Sequence, residues 1–251
     1  MIKNELEFYE NIGNWDFSMI NYEEEVITDW DYYKKIAEKV NEKSLCLDIG
    51  TGAGESVLKN YPKVGMLIAT DLSKEMIKTA NKNVKGYPKR NVKFVLMDNL
   101  KMTFPENLFD LVSARHTIID VYQIYSCLKE NGTIVVRGVD KDDCLELKQM
   151  FKRGQGQGDK IAISDLDYAN LKEAGFREIE KTEIIINEYY KTEKDLMALL
   201  LKTPILEQVS DDNYKEILPI EKDLFNKYVK EYTTERGILL KRKYYGISAK
   251  K

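Results

Sequence analysis

The chain has 251 residues, of which 43% are hydrophobic and 32% charged, and its formal net charge at pH 7 is −3. This composition excludes a disordered chain, and no apolar run approaches the roughly 20 residues that span a membrane. The slight negative charge argues mildly against a nucleic-acid partner. Three cysteines (Cys46, Cys127 and Cys144) are an odd number without metal-ligand spacing, so we expect no metal site and a reducing, cytoplasmic setting.

Residues 1–34 are rich in aromatic side chains and precede the first predicted strand. Tyr9 and Trp15 lie in this segment, and the residues from Glu23 to Val40 have helical spacing. Aromatic side chains at helical spacing most often pack in a core, which favours a pair of helices packed on a sheet. The other interpretation is a lid over a neighbouring site.

Residues 45–49 are a short apolar run with one acid, Asp48, which is typical of a buried parallel strand. The turn that follows contains Gly50, Thr51, Gly52 and Gly54. Alternating glycines let a ligand lie directly against backbone N–H groups. A dinucleotide-binding turn would have its third glycine where this chain has Glu55, so the turn disfavours an NAD enzyme.

Two further predicted strands end in acids. Residues 65–71 end at Asp71, which follows Gly50 by 21 residues, close to the interval at which nucleotide-binding folds place a carboxylate on ribose hydroxyls. Leu72 then leads into a capped helix. The next strand, residues 91–97, is followed by two polar residues, Asp98 and Asn99. Loop capping is the alternative role for such acids.

The pattern Asp48-x-Gly50-x-Gly52-x-Gly54, with its strand-end acids, resembles the class I S-adenosylmethionine-dependent methyltransferases over about residues 40–190, and within them the type 11-like small-molecule enzymes. The resemblance implies that Asp48 helps hold the methionine ammonium, Asp71 the ribose and Asp98 the adenine amino group. It implies a cofactor, S-adenosylmethionine, and a set of further contacts at Gly50, Thr51, Gly52, Gly54, Leu72, Asn99, Arg115, Tyr9 and Trp15.

The fourth predicted strand, residues 109–114, ends at Arg115 and His116, the only histidine of the chain. The carboxyl ends of parallel strands are where open α/β sheets bind ligands. We expect Arg115 to orient an anionic group of the acceptor or to brace the adenosine. His116 has two possible roles, a structural one in a cap or core, and a catalytic one as a neutral imidazole that accepts a proton near pH 7.

These elements predict one α/β domain over residues 1–251, a Rossmann-like, doubly wound sheet of seven mostly parallel strands with an antiparallel last strand. Its predicted parts are a helical lid (1–40), a cofactor-binding core (41–190), a small helical insertion (191–235) and the last strand (236–251). The glycine-rich loop at 154–158 has no predicted role.

The predicted reaction is methyl transfer from S-adenosylmethionine to a small-molecule acceptor. Methylation of ribosomal or transfer RNA is the main alternative, and the lysine-rich stretch at 78–93 is its supporting feature. A non-catalytic cofactor-binding module is another. Nucleic acid is thus possible but not favoured, we expect no membrane partner, and the residues predict no particular oligomeric state.

Overall fold

A single mixed sheet of nine strands runs through the part of the chain that this computed structural model describes, residues 19–88, 91–206 and 218–251. The strand order is β4-β3-β2-β5-β6-β9-β7-β1, and the short β8 pairs with β9. The strands are β1 (Tyr22–Val26), β2 (Leu45–Ile49), β3 (Met66–Asp71), β4 (Val92–Leu96), β5 (Phe109–Arg115), β6 (Leu128–Val139), β7 (Arg177–Tyr190), β8 (Thr233–Thr234) and β9 (Gly237–Lys250).

Five neighbouring strands, β4, β3, β2, β5 and β6, are parallel, and β9 runs antiparallel to both β6 and β7. In β2 the side chains of Cys46, Leu47 and Ile49 are fully buried, as expected for a parallel strand covered on both faces. Because parallel strands end at the same edge, the loops after β2, β3, β4 and β5 are brought together there.

Helices cover both faces of the sheet. They are α1 (Tyr32–Ala37), α2 (Glu55–Asn60), α3 (Lys74–Asn83), α4 (Val121–Cys127), α5 (Leu145–Phe151), α6 (Ile163–Glu173), α7 (Glu193–Lys202) and α8 (Pro219–Tyr232). Helices α1, α2 and α3 pack on one face, around a buried cluster that includes Ile36, Leu58 and Ile77. Helices α4 and α6 pack on the other face, through residues such as Ile124 and Leu171.

Helices α7 and α8 lie between β7 and β9 in the chain, where the helical insertion was predicted, and they pack with α5 in a separate core. Leu196, Leu199 and Leu200 of α7 contribute to that core, as do Phe225 and Tyr228 of α8. Among the described residues, no helix combines the length and the apolar composition needed to cross a bilayer.

The prediction of seven strands was wrong, because the described sheet has nine. The seven expected strands are present, and β1 and β8 are added at the antiparallel end. The helix predicted from Glu23 is instead β1, and helix begins only at Tyr32. The β1 residues pair antiparallel with the edge of β7, and Glu25 accepts hydrogen bonds from Asn187 and Tyr189 (both 2.9 Å), so tertiary pairing decides their structure.

Candidate functional site

The turn after β2 depends on glycine at three positions. Gly50, Gly52 and Gly54 have φ values of +69°, +61° and +80°, a region that other residues rarely adopt. A Cβ atom on Gly50 would lie 2.5 Å from Cβ of Thr117, and one on Gly54 would lie 2.7 Å from Cζ of Phe94. Both distances are too short for real atoms, so the turn also needs glycine for close packing at Gly50 and Gly54.

Asp71 fixes this glycine turn to the end of β3. Its Oδ2 accepts a hydrogen bond from the backbone N–H of Gly52 (2.8 Å), and its Oδ1 accepts one from the backbone N–H of Ser73 (2.9 Å). Burial raises the pKa of Asp71, and the hydrogen bonds from the backbone N–H groups of Ser73 and Gly52 partly oppose that rise. The side chain is half-buried, and each carboxylate oxygen keeps a lone pair for a further donor.

The residues after β4 connect the strand ends to one another. Asn99 accepts a hydrogen bond from the hydroxyl of Thr70 (3.3 Å) and donates one from Nδ2 to Oγ1 of Thr117 (3.2 Å). Asp98 accepts a hydrogen bond from the backbone N–H of Leu100 at 2.9 Å, which is the loop-capping geometry considered as its alternative role. Asn99 therefore joins the ends of β3, β4 and β5 around the glycine turn.

Three large apolar side chains follow this network directly in the chain and remain open to solvent. They are Leu72 (50% exposed), Leu100 (49%) and Ile118 (67%). Single exposed leucines are common in proteins, but here each directly follows Asp71, Asn99 or Thr117 at the ends of the strands. An apolar ligand surface at this edge would use these side chains.

Asp48 lies inside the protein, with 4% of its surface exposed. Its Oδ1 accepts a hydrogen bond from Oγ of Ser113 (2.7 Å), and the hydroxyl of Tyr32 lies at 3.5 Å. Burial raises the pKa of Asp48 to about 6, against the opposing effect of the hydrogen bond from Ser113. The carboxylate is thus held beneath the glycine turn, and it would act on a ligand through the β2 backbone.

Arg115 and His116 stand at the end of β5, as predicted. Arg115 donates from Nη2 to Oγ of Ser56 (2.9 Å), and Ser56 follows the glycine turn in helix α2. His116 has φ +57°, its backbone N–H donates to the carbonyl of Arg137 (2.8 Å), and its ring is parallel to the ring of Tyr244 with centroids 5.2 Å apart. The positive φ of His116 departs from strand geometry directly after β5.

The side chain of His116 is exposed to solvent, and its neighbours are cationic groups. Removal of water by the surrounding protein, which includes the ring of Tyr244, lowers the pKa of His116 well below 6.5, and the positive charges of Arg137, Arg115 and Arg242 lower it further. Because the exposed part of the ring remains hydrated, the positive charges are the main cause of the low pKa of His116. His116 is therefore neutral at pH 7 and a weak base.

Two predicted site residues, Tyr9 and Trp15, lie outside the described residues. Among the described ones, direct contacts join the glycine turn, Asp71 and Asn99 to the residues after β5. Arg115 joins this group through Ser56. In the lysine-rich stretch, Lys78 forms an ion pair with Glu75 at 3.0 Å within α3.

Sequence reasoning missed Arg137, Arg242 and Tyr244, which lie beside His116. The guanidinium carbon of Arg137 is 4.1 Å from the centroid of the Tyr244 ring, and that of Arg242 is 5.0 Å away. The sequence does contain one indication of this site. Arg137 is a charged residue inside an otherwise apolar predicted strand, TIVVRGV.

Comparison with known proteins gives a consistent result. Residues 47–138 match the family model described as a methyltransferase domain. The malonyl-[acyl-carrier protein] O-methyltransferase of Halalkalibacterium halodurans is 31% identical over 157 residues, 56% of this chain and 56% of the relative. The phosphoethanolamine N-methyltransferase of Plasmodium falciparum is 29% identical over 150 residues, 55% of this chain and 56% of the relative. The chain thus spans about half the length of these curated relatives.

A solved structure shows the same fold at lower identity. The YcgJ protein of Bacillus subtilis superposes with a TM-score of 0.60 at 17% identity, covering 87% of this chain and 96% of that one. The family match covers the glycine turn, Asp71, Asp98 and the end of β5, the parts of the chain that form the site described above. Residues 47–138 are therefore similar to a methyltransferase domain, in agreement with the resemblance of the glycine turn to that of the class I S-adenosylmethionine-dependent methyltransferases.

Proposed function

We propose that this protein transfers a methyl group from S-adenosylmethionine to a small-molecule acceptor at the carboxyl edge of the parallel strands. The observation that carries the proposal is the glycine turn after β2, with three left-handed glycines and the carboxylate of Asp71 on the backbone N–H of Gly52. Two relatives that match this chain are named as a malonyl-[acyl-carrier protein] O-methyltransferase and a phosphoethanolamine N-methyltransferase, which supports the choice of acceptor class.

The residues present suit this cofactor. The half-buried carboxylate of Asp71 has lone pairs for ribose hydroxyls, and the exposed side chains of Leu72, Leu100 and Ile118 offer apolar surface to an adenine ring. Asp98, at the end of β4, would accept from the adenine amino group. Ser113 and Tyr32 hold Asp48 in the strand that leads into the turn.

When bound, S-adenosylmethionine supplies an electrophilic methyl group on a positively charged sulfur, which keeps the bonding electron pair as the acceptor attacks. The protein's own part is to position the acceptor and exclude water. Arg115 donates a hydrogen bond to Ser56 of helix α2. Its guanidinium is therefore placed to hold a carboxylate of a bound ligand near the glycine turn.

His116 is our candidate for proton acceptance. It is neutral at pH 7, and its exposed ring stands at the end of β5 beside the turn. Its lowered pKa means that it takes a proton only from an acceptor that becomes strongly acidic as the new bond forms, such as an aromatic amine that gains positive charge. An acceptor that is already an anion would not need this help.

Transfer of radiolabelled methyl groups tests the proposal. The protein is incubated with methyl-tritiated S-adenosylmethionine and separate small-molecule and RNA fractions of a cell extract. We expect label in the small-molecule fraction, and we expect Gly52→Val to abolish it. Gly86→Val is the matched control, because Gly86 has no positive φ and a Cβ atom added to it would have no neighbouring atom within 4 Å.

Two outcomes would contradict this proposal. Label in RNA alone would support the alternative of RNA methylation. Cofactor binding without transfer to any fraction would support a non-catalytic binding module.

A further inference from the structure

Two arginines and the only histidine of the chain meet around one tyrosine ring, and a third arginine lies on the neighbouring strand. Tyr244 of β9 lies beside Arg242 of the same strand, Arg137 of β6 and His116 after β5. Arg115 joins them, because the register of β5 and β6 pairs Arg115 with Arg137. Positive side chains this close repel one another unless anions balance them.

Arg242 is fully balanced within the protein. Its guanidinium forms a two-pronged ion pair with Asp143 (3.0 and 3.1 Å) and a second ion pair with Glu188 at 3.1 Å. Both carboxylates are buried, so Arg242 is a structural residue that joins β9 to β7 and to the segment before α5. It leaves no positive charge for a ligand.

Arg137 is different. Within the part of the chain that the structure describes, its guanidinium contacts the face of Tyr244 and forms no hydrogen bond or ion pair. Loss of water lowers the pKa of Arg137, and the charges of Arg115 and Arg242 lower it further, while Tyr244 and the carboxylate of Glu24 oppose that effect. A half-buried guanidinium without an acceptor is unfavourable, and its five N–H donors remain available.

We propose that Arg137, seated on Tyr244 with His116 beside it, binds an anionic group of the methyl acceptor. The planar guanidinium presents parallel donors that match the oxygens of a carboxylate or a phosphate monoester. This inference rests on the function proposed above and adds to it the chemical class of the acceptor, an organic anion.

The strand order separates this anion site from the cofactor. The glycine turn follows β2, and Arg115 on the adjacent β5 already reaches back to α2. Arg137 is on β6, one strand farther, and neighbouring strands are about 4.8 Å apart. Arg137 therefore lies about 10 Å along the sheet from β2, on the side away from the adenosine residues of β3 and β4.

The competing explanation is that Arg137 only packs on Tyr244 to stabilise the fold. The two explanations predict opposite effects of Arg137→Met. If Arg137 is structural, the variant loses a cation–π contact and its melting temperature falls. If Arg137 is an anion site, the variant loses an unbalanced charge, so its melting temperature stays equal or rises while anion binding is lost.

His116 gives a direct readout, because a chain with one histidine has one set of imidazole NMR signals. The groups that face it are Arg115 on β5, Arg137 on β6, and Arg242 and Tyr244 on β9. The probe is sulfate, whose charge is constant over the titration, added to protein saturated with S-adenosylhomocysteine. Sodium chloride at equal ionic strength is the control for screening.

We expect sulfate to raise the pKa of His116 in the wild type, because a bound anion offsets the nearby positive charges. Arg137→Met should itself raise that pKa and should abolish the response to sulfate. Arg137→Lys keeps the charge but not the parallel donors, so sulfate should bind at least about tenfold more weakly than to the wild type. Arg177→Met, which removes an exposed arginine paired with Asn131, should behave as wild type.

The proposal is overturned if sulfate leaves His116 unchanged in the wild type, or if it has the same effect in Arg137→Met and the wild type. It is also overturned if Arg137→Met and Arg137→Lys bind sulfate normally and only melt at lower temperature. Failure of the wild type to bind S-adenosylhomocysteine would instead refute the proposed function. Parallel titrations with acetate and phosphate separate the two anion classes, since the tighter one identifies the acceptor as a carboxylate or a phosphate monoester.

Discussion

The charge on Asp48 provides a quantitative test of the site. Burial raises the pKa of Asp48 from 3.8 to about 6 in the folded protein. Each pKa unit corresponds to about 1.4 kcal/mol, so a difference of about two units means that ionised Asp48 destabilises the fold by about 3 kcal/mol. Between the two pKa values the folded state binds more protons than the unfolded state, so stability falls as pH rises from about 4 to about 6.

The informative variant is Asp48→Asn, which removes the charge and keeps an oxygen that accepts from Ser113. We expect the free energy of unfolding at about pH 8 to increase by up to about 3 kcal/mol relative to wild type. Below about pH 4 both forms are neutral at this position, so the difference should shrink towards zero. A charge that destabilises the fold is retained at functional sites, so Asp48→Asn should also bind S-adenosylhomocysteine more weakly.

Urea unfolding followed by circular dichroism at several pH values measures both the sign and the pH window. Asp159→Asn, which neutralises an exposed loop carboxylate, is the control for the change in net charge. If Asp48→Asn is no more stable than wild type at about pH 8, or if its advantage does not depend on pH, then Asp48 is not a strained carboxylate beneath the turn.

Three further changes test other parts of the site. Gly54→Ala places a Cβ atom 2.7 Å from Phe94 at φ +80°. Thermal unfolding should therefore show that the free energy of unfolding falls by about 1–3 kcal/mol. An unchanged melting temperature would contradict the close packing of Gly54 on Phe94. In calorimetry, Asp71→Asn should weaken S-adenosylhomocysteine binding by about tenfold or more. The loss should be smaller for the 2′-deoxyribose analogue of S-adenosylhomocysteine. Equal losses for both ligands would mean that Asp71 only braces the turn. His116→Ala should lower the methylation rate about 100-fold or more, while calorimetry shows near-normal S-adenosylhomocysteine affinity. The wild-type rate should fall only at acidic pH well below 6.5. A mutant that loses cofactor affinity alone would favour a structural role.

The glycine turn and the strand ends could be predicted because their signals are local. Residues 45–54 combine a buried-strand pattern with glycines that a left-handed turn requires. Asp71 was predicted at its place, but its hydrogen bond to Gly52 joins residues 19 positions apart, and nothing in the local pattern shows it. Its role as a brace of the turn therefore appears only in the folded chain.

The errors come from contacts between distant segments. Residues 22–26 have a weak pattern of their own, and their pairing with β7 makes them a strand. Arg137 is a charged residue in an otherwise apolar strand, but its neighbour Tyr244 lies on β9 and His116 follows β5. Only the register of β5, β6 and β9 brings these residues to one place. Patterns within one segment at a time do not reveal a site built across three strands.

The most direct test of the account is calorimetric titration of S-adenosylhomocysteine into the wild type, Gly52→Val and Gly86→Val, with circular dichroism to show that each is folded. We expect the wild type and Gly86→Val to bind with the same affinity. Gly52→Val should not bind measurably, because a branched side chain at φ +61° displaces the turn that holds the cofactor. No binding by the wild type, or equal binding by folded Gly52→Val, would contradict the claim that this turn is the cofactor site of a methyltransferase.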